Sequence, residues 1–444
     1  MREKCIQIKE KYPIVISIVL AAIWTILLIG VGIGVSLIPF ISNSKSGYLS
    51  QLIVDVMGTG LGIFVIWFFK SSAVYKEKRY GLGQGFLIGL YLVIIGFYSL
   101  IVTTIMADKS KINPIWQIAI FAITMIFIGT CEEFLFRGVI SNLLFNKYGK
   151  TIPGVWFAVI MTGVIFGCMH LFNALSPEVS FYSALIQGLV AGVLGMVLTA
   201  IYFRCRNIWV VVILHAFIDF AALFTSGVFG TNTLDGSIGT YSALQLFGIL
   251  PYIIVLLVLL RKNKMKEILE NNIAKSSEKE IIRLVIVIVI FFIVAIITFI
   301  VGFPAMVKNF QSAIPPIESF SGTYINQDMS EEVEVKTTGT YKITMSATEV
   351  SKGTLVDMIF VGEDNKVYGE NLTDAGESEF DNINLPAGNY TCKMIMITSV
   401  EEYNQYIKDC GYTISEEDNS KFLKVFDNTS DGENSVKFSF ELRL

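Results

Sequence analysis

Nine apolar runs, each close to the ~20 residues that an α-helix needs to cross a hydrocarbon core, constrain this chain more than any other feature. They are centred on residues 14–38, 52–69, 85–106, 117–145, 154–175, 182–203, 208–228, 241–260 and 284–303. A backbone in lipid must satisfy its own polar groups, so runs of this length can only be helices. A mean hydropathy of +0.61 and 53% hydrophobic residues agree with an α-helical polytopic membrane protein of about nine transmembrane helices. The first run is too long for the core of a signal peptide and has no small-residue cleavage site behind it. It reads as a retained span.

Basic residues set the expected orientation. Residues 1–304 hold 23 Lys and Arg, and 19 of them fall in alternate segments: Arg2 to Lys11, Lys70 to Arg79, Lys147 and Lys150, Arg204 and Arg206, and Arg261 to Arg283. The opposite loops hold only Lys45, Lys109 and Lys111, and the last cation is Arg137 inside a run. This pattern predicts a multi-pass protein of the cell membrane with a cytoplasmic N-terminus and, after nine spans, an extracellular C-terminal domain. The charge divides accordingly: residues 305–444 carry 11 basic and 24 acidic residues, a net of −13, against +9 for the rest. An acidic domain of that kind is no partner for nucleic acid or an anionic membrane surface.

The domain plan follows. Residues 1–80 hold helices 1 and 2, 81–260 hold helices 3 to 8, 261–283 form a charged cytoplasmic loop, and 284–304 form a ninth helix that reads as a tether. A linker over 305–325, containing Pro315 and Pro316, leads to a domain at 326–444. There GTYKITMSATE (Gly339 to Glu349) and SVKFSFELR (Ser435 to Arg443) alternate apolar and polar residues, the pattern of half-buried strands. EDNK at Glu363 and LPAG at Leu385 read as turns. A small all-β, sandwich-like domain is expected, with a helical insertion near Glu401 to Lys408. Its external partner is not identified. Cys392 and Cys410 are the only external cysteine pair and could form a disulfide. Three Asn-X-Ser/Thr sequons, at Asn371, Asn389 and Asn428, read as chance in a polar domain.

Small residues mark where membrane helices can approach: Gly58, Gly60 and Gly62 in the second run, Gly85 and Gly89 in the third, Gly188 and Gly192 in the sixth. Asp55 could line a polar cavity, but its place near the predicted outer end of its run favours simple solvation.

The fourth run contains GTCEEFLFRG (Gly129 to Gly138), two carboxylates and an arginine where ionisable groups are costly. On a helix Glu133 and Arg137 share a face at a spacing of four. Glu132 lies about 100° away without such a partner. One supporting acid and one available acid result, the arrangement that gives neighbouring carboxylates different tasks. The only histidines of the chain, His170 and His215, both fall in apolar runs, and Phe166 with His170 and His215 with Asp219 stack one turn apart.

EEFLFR, FGCMH and HAFID, in that order within successive apolar runs, resemble the three motifs of the type II CAAX prenyl endoproteases and their bacterial CPBP relatives, a family of intramembrane proteases. The resemblance covers roughly residues 80–260 and implies an intramembrane endopeptidase. It implies Glu132 as the base that activates water, His170 as its partner, His215 and Asp219 as oxyanion stabilisers, and Glu133 with Arg137 as a supporting pair beside Phe166. Asp219 stands where the family has Asn or Asp, and an ionised aspartate can only accept hydrogen bonds. It could instead orient His215, keep a proton or serve a metal. No cofactor is certain: Glu132, His170, His215 and Asp219 are also a competent donor set for zinc or another divalent ion, and this alternative stays open. The substrate is expected to be a peptide or a membrane-associated protein in the bilayer. A different class of reading is a non-catalytic scaffold or bacteriocin-immunity protein with an external ligand-binding β-domain.

Helical rise places Glu133 ~21 Å from Lys147, His170 ~28 Å from Thr151 and His215 ~14 Å from Arg206. Level clusters therefore require the fourth and fifth helices to project or tilt by roughly 10 Å.

Overall fold

The computed structural model describes the chain except residues 1–7, 9, 43–45, 70, 72–77, 108–111, 231–233, 271–272, 314–315, 429–432 and 444. Arg2, Lys4, Cys5, Lys9, Lys45, Lys70, Lys76, Lys109, Lys111 and Pro315 thus lie outside the described residues, as does part of the Asn428 sequon. The chain forms two compact units, Met1–Lys308 and Asn309–Leu444.

The first unit is helical: α1 Pro13–Ser36, α2 Leu49–Phe68, α3 Leu82–Ile88, α4 Leu90–Met106, α5 Ile115–Leu135, α6 Ser141–Tyr148, α7 Ile152–Met169, α8 Phe181–Cys205, α9 Ile208–Ala222, α10 Phe224–Phe229, α11 Ile249–Leu259, α12 Lys262–Ile268 and α13 Glu278–Ala313. Several starts are fixed locally. Thr151 accepts from Gly154 N at 3.1 Å, Ser180 from Ser183 N at 3.0 Å and Asn207 from Trp209 N at 3.2 Å, each satisfying an amide that the helix leaves free. α8 ends on Arg206 in the left-handed conformation, φ 51°, and α9 begins two residues later.

Among the described residues, by length and composition, six helices can cross a membrane, or up to eight if the pairs bent by 77° near Gly89 and by 65° near Leu260 each count as one. All nine apolar runs fold as helix, but the seventh breaks at Leu223, leaving the short α10 beyond α9. The 15 residues of α9 span ~22 Å, short of a ~30 Å hydrocarbon core. The fourth run is long instead: α5, a π turn at Phe136–Ile140 and α6 make 34 continuous helical residues, ~51 Å.

Close helix crossings depend on glycine. A Cβ on Gly163 would collide with Gly192 O and one on Gly167 with Gly188 O, so α7 and α8 touch backbone to backbone. Likewise a Cβ on Gly58 would strike Cys131 Sγ, and one on Gly62 would lie 3.0 Å from Phe134 Cβ, which seats α2 against α5. Gly85 and Gly89 leave room for Val210 and Leu214. Gly60, expected to pack with its neighbours, has nothing within 4 Å of a built Cβ, because it sits on the opposite face of α2 from Gly58 and Gly62. α13 is the most exposed long helix, with 6% of its span buried. It is held where Tyr182 Oη donates to Thr298 O at 3.0 Å.

The second unit is all-β with two helices added. Strands β1 Glu318–Ile325, β2 Met329–Val335, β3 Gly339–Thr348, β4 Leu355–Gly362, β5 Val367–Thr373, β6 Gly376–Leu385, β7 Gly388–Ile397 and β8 Ser435–Arg443 form two antiparallel sheets, β1-β8-β3-β6 and β2-β7-β4-β5. Period-two burial puts Tyr341, Ile343, Met345 and Ala347 of β3, and Val436, Phe438, Phe440 and Leu442 of β8, into one core with Phe360 and Tyr390. The expected 305–325 linker is shorter than the sequence suggested. α13 runs on to Ala313 and β1 starts at Glu318, whose strand alternates without any conspicuous hydrophobic run. The helical insertion appears as α14 Val400–Cys410, followed by an unforeseen α15 Glu416–Val425. The disulfide expectation is overturned: Cys392 is buried in the core, Cys410 is exposed at the end of α14, and both are free.

Asp357 is fully buried where α14 covers the second sheet, and Tyr406 Oη and Tyr412 Oη each donate to its Oδ2 at 2.7 Å. Burial holds its carboxyl above the ordinary range, and the two phenols pull the other way. A folded value above the unfolded one means that this group favours folding fully below about pH 4 and loses that contribution as pH rises through the folded value. Asp357→Asn should therefore melt progressively better relative to wild type between acid and neutral pH; a difference in melting temperature that does not change with pH would contradict this. Gly163→Ala should cost about 1–3 kcal/mol by overpacking, whereas Gly60→Ala should be silent in the same detergent melting assay.

Candidate active site

Glu132 and Glu133 sit in the last turn of α5. The helix then widens into the π turn that carries Arg137, a feature frequent at functional sites. Arg137 Nη1 donates to Glu133 Oε1 at 2.6 Å, and both side chains are fully buried. Arg137 Nη2 donates to Gly195 O of α8 at 2.8 Å, and its guanidinium lies 5.1 Å from the Phe166 ring centroid. Gly195 is glycine for space: a Cβ there would come 2.8 Å from Phe166 Cδ1 and 3.4 Å from Arg137 Nη2. The same Glu133 Oε1 accepts from His215 Nδ1 at 2.8 Å. One carboxylate oxygen thereby joins α5, α8 through Arg137, and α9.

With Nδ1 donating to Glu133, His215 turns Nε2 toward the two remaining acids. Nε2 lies 3.6 Å from Glu132 Oε2 and 3.5 Å from Asp219 Oδ2. His215 itself is buried, but Glu132 is 28% exposed and Asp219 24%. The polar groups are therefore graded from a closed pair, Glu133 with Arg137, through one imidazole, to two carboxyls that a water or substrate can reach. His170 is placed differently. It is the last residue of the α7 run, where the helix tightens into the 3₁₀ turn His170–Leu175, and its Nδ1 pairs with Phe166 O at 3.0 Å. Its ring is edge-to-face with Phe166 at 4.8 Å, and His215 meets the same Phe166 ring at 5.8 Å. Phe166 thus separates and spaces the two imidazoles, and Phe136 closes its other contact at 4.8 Å.

The structure therefore brings together Glu132, Glu133, Arg137, His215 and Asp219 directly, and His170 through Phe166. Among the described residues no group of three or more His, Cys, Asp or Glu side chains is arranged to hold a metal ion. One participant was not foreseen, and another was read first as something else. The Gly195 carbonyl had a faint signal, as the third small residue after Gly188 and Gly192. Asp55 of α2 was expected to be solvated and instead is buried, 4% exposed, with Gln51 Nε2 donating to its Oδ2 at 2.9 Å. It interacts electrostatically with Glu132 and Asp219. The reason is the seat made by Gly58 and Gly62, which turns that face of α2 onto α5.

Chemically, the arrangement offers a partly exposed carboxyl beside an oriented imidazole, with the orienting ion pair buried behind it. Removing one partner of such a sealed pair leaves an uncompensated charge. Arg137→Ala should cost about 3–5 kcal/mol, and Arg137→Lys should recover only part, because a single ammonium cannot reach Glu133 and Gly195 O in the guanidinium's fixed fork. Thermal unfolding in detergent measures both; equal stability of all three proteins would contradict the pair's role.

Residues 114–221 match the Rce1-like family, type II CAAX prenyl endopeptidase. The matched stretch opens one residue before α5 and closes within α9, so it holds all the residues described above except Asp55. No curated protein and no solved structure matches the chain.

Proposed function

Starting from an Rce1-like membrane protease domain at residues 114–221, we propose that this multi-pass membrane protein is an intramembrane endopeptidase whose nucleophile is a water activated by Glu132. The observation that carries the reading is the grading of the cluster: Glu132 and Asp219 are reachable while His215, Glu133 and Arg137 are sealed behind them. In this mechanism water oxygen adds to the scissile carbonyl carbon and Glu132 takes the water proton. The tetrahedral oxyanion is stabilised by His215, protonated at Nε2, which Glu133 orients through Nδ1. Asp219, its Oδ2 3.5 Å from the same Nε2, favours the charged ring electrostatically, the task open to an aspartate where an asparagine would donate. His170, at the end of α7 against the Phe166 ring that also meets His215, is the second imidazole and assists Glu132. The C–N bond then breaks, and the proton held by Glu132 passes to the departing amine.

The substrate class is a peptide or membrane-associated protein segment, and nothing in the chain selects a prenylated one. We also propose nine passes, with α9 completing the seventh, a cytoplasmic N-terminus and the β unit outside, on the strength of the alternating Lys and Arg.

Glu132→Ala and His170→Ala, in proteins that remain folded, should each lower the cleavage rate by about 10²–10⁴-fold; undiminished cleavage by both would remove the assignment. Prolonged dialysis against a chelator should leave the rate unchanged, whereas loss restored by zinc would reassign Glu132, His170, His215 and Asp219 to a metal. A non-catalytic scaffold or immunity protein predicts the reverse pattern: deleting residues 309–444 would abolish function and Glu132→Ala would keep it.

A further inference from the structure

Beside His170 two carboxamides lie outside the three motifs and take no part in the chemistry described above. Asn173 stands on the 3₁₀ turn His170–Leu175. In a turn of that kind side chains three residues apart eclipse, so His170 and Asn173 leave one face, ~6 Å apart along its axis. Gln187 stands on α8 next to Gly188, whose backbone touches that of Gly167 in the last turn of α7. A Cβ on Gly188 would also meet Leu171 of the 3₁₀ turn at 3.8 Å. Asn173 Nδ2 donates to Gln187 Oε1 at 2.8 Å, which joins the turn to α8. Ile186 and Gly188 on either side of Gln187 are buried, yet Gln187, Asn173 and His170 are all half-buried. The bond uses only part of what the pair offers. Asn173 Oδ1 and Gln187 Nε2 have no partner among the described residues, and neither has His170 Nε2, since its Nδ1 takes Phe166 O. Exchange of the two amide ends would still leave one donor and one acceptor.

A peptide bond within a helix is shielded by the turns around it, so an intramembrane peptidase acts on an unwound segment. Unwinding frees N–H and C=O groups that lipid cannot satisfy, at high cost. The site must therefore supply donors and acceptors beside the scissile bond, as a strand edge does for an extended peptide. We propose that Asn173 and Gln187 bind the main chain of the substrate. Gln187 Nε2 donates to the carbonyl oxygen, and Asn173 Oδ1 accepts from the amide, of one residue flanking the bond that is cut. The pair meets backbone and not side chains, so it takes an extended apolar segment of any sequence. This rests on the reading of the site as a peptidase and names what holds its substrate.

The probe is a fluorescein-labelled decapeptide of apolar residues in detergent, made in parallel with one central amide at a time N-methylated. Binding is read by anisotropy with the full-length Glu132→Gln protein, where it is independent of turnover, and KM and kcat are read with Glu132 intact. Adding Gln187→Met should weaken binding of the parent peptide by about tenfold, the loss of one hydrogen bond that leaves its partner unmet, and should raise KM more than it lowers kcat. One N-methyl position should weaken binding by a similar factor and cost nothing further once Asn173→Leu is present, because the acceptor for that amide is gone. A pair that merely pins the turn to α8 predicts that N-methylation and Asn173→Leu multiply at every position, and that outcome overturns the proposal. Equal binding of the parent and of every N-methylated peptide overturns it without any variant at 173 or 187, so the test holds where such a variant does not fold. Cleavage that survives Glu132→Ala, with binding as expected above, removes the reading of Glu132 and supports the pair.

Discussion

The helical unit depends on one ion pair that has no water to fall back on. Arg137 and Glu133 are both fully buried, and the desolvation of two such charges is repaid only when their remaining hydrogen-bonding capacity is used. Here part of it is: Glu133 Oε1 takes His215 as well as Arg137, and the second guanidinium nitrogen takes a backbone carbonyl of α8, while Glu133 Oε2 and Arg137 Nε are buried without a hydrogen-bond partner among the described residues. The pair therefore fixes where three helices meet and which tautomer His215 adopts. The accessible acids are positioned as a consequence, since Glu132 is covalently next to Glu133 and Asp219 is one turn from His215.

That meeting point exists because small residues let the backbones come together. Gly163 and Gly167 bring α7 to α8, Gly195 admits both the Arg137 fork and the Phe166 ring, and Gly58 and Gly62 bring α2 to α5. In lipid there is little hydrophobic force to drive helices together, so shape and hydrogen bonding carry the association. The polar cluster and the glycines are two halves of one device: glycines permit the approach, and the ion pair makes one particular approach favourable.

Much of this is legible in the amino-acid order because helix periodicity is local. The spacing of four between Glu133 and Arg137, and between Phe166 and His170, states which side chains share a face, and the structure places each pair in contact. Alternation in Ser435 to Arg443 likewise reveals which side of β8 is inside. What is not legible depends on which element lies opposite. Asp55 reads as solvated until Gly58 and Gly62 are seen against Cys131 and Phe134, and Gly60 reads as a packing residue until its face is seen to be open. The length of α9 was misjudged because hydropathy continues from Ala222 into α10 while the backbone breaks at Leu223. Cys392 and Cys410 could be paired on paper only because sequence separation carries no information about distance.

The π turn at Phe136–Ile140 has an evolutionary and technical consequence. It amounts to one residue more than a regular helix would hold over the same rise, so losing a single codon there would leave composition and hydropathy almost untouched. With the turn relaxed to regular helix, α6 would keep its place, and Asn142 Nδ2 its 3.0 Å bond to Tyr202 Oη, whereas side chains within the turn would swing by about 100° to a different face. All five residues of the turn are buried, so a shift of face there would move Arg137 or its neighbours out of the places their packing requires.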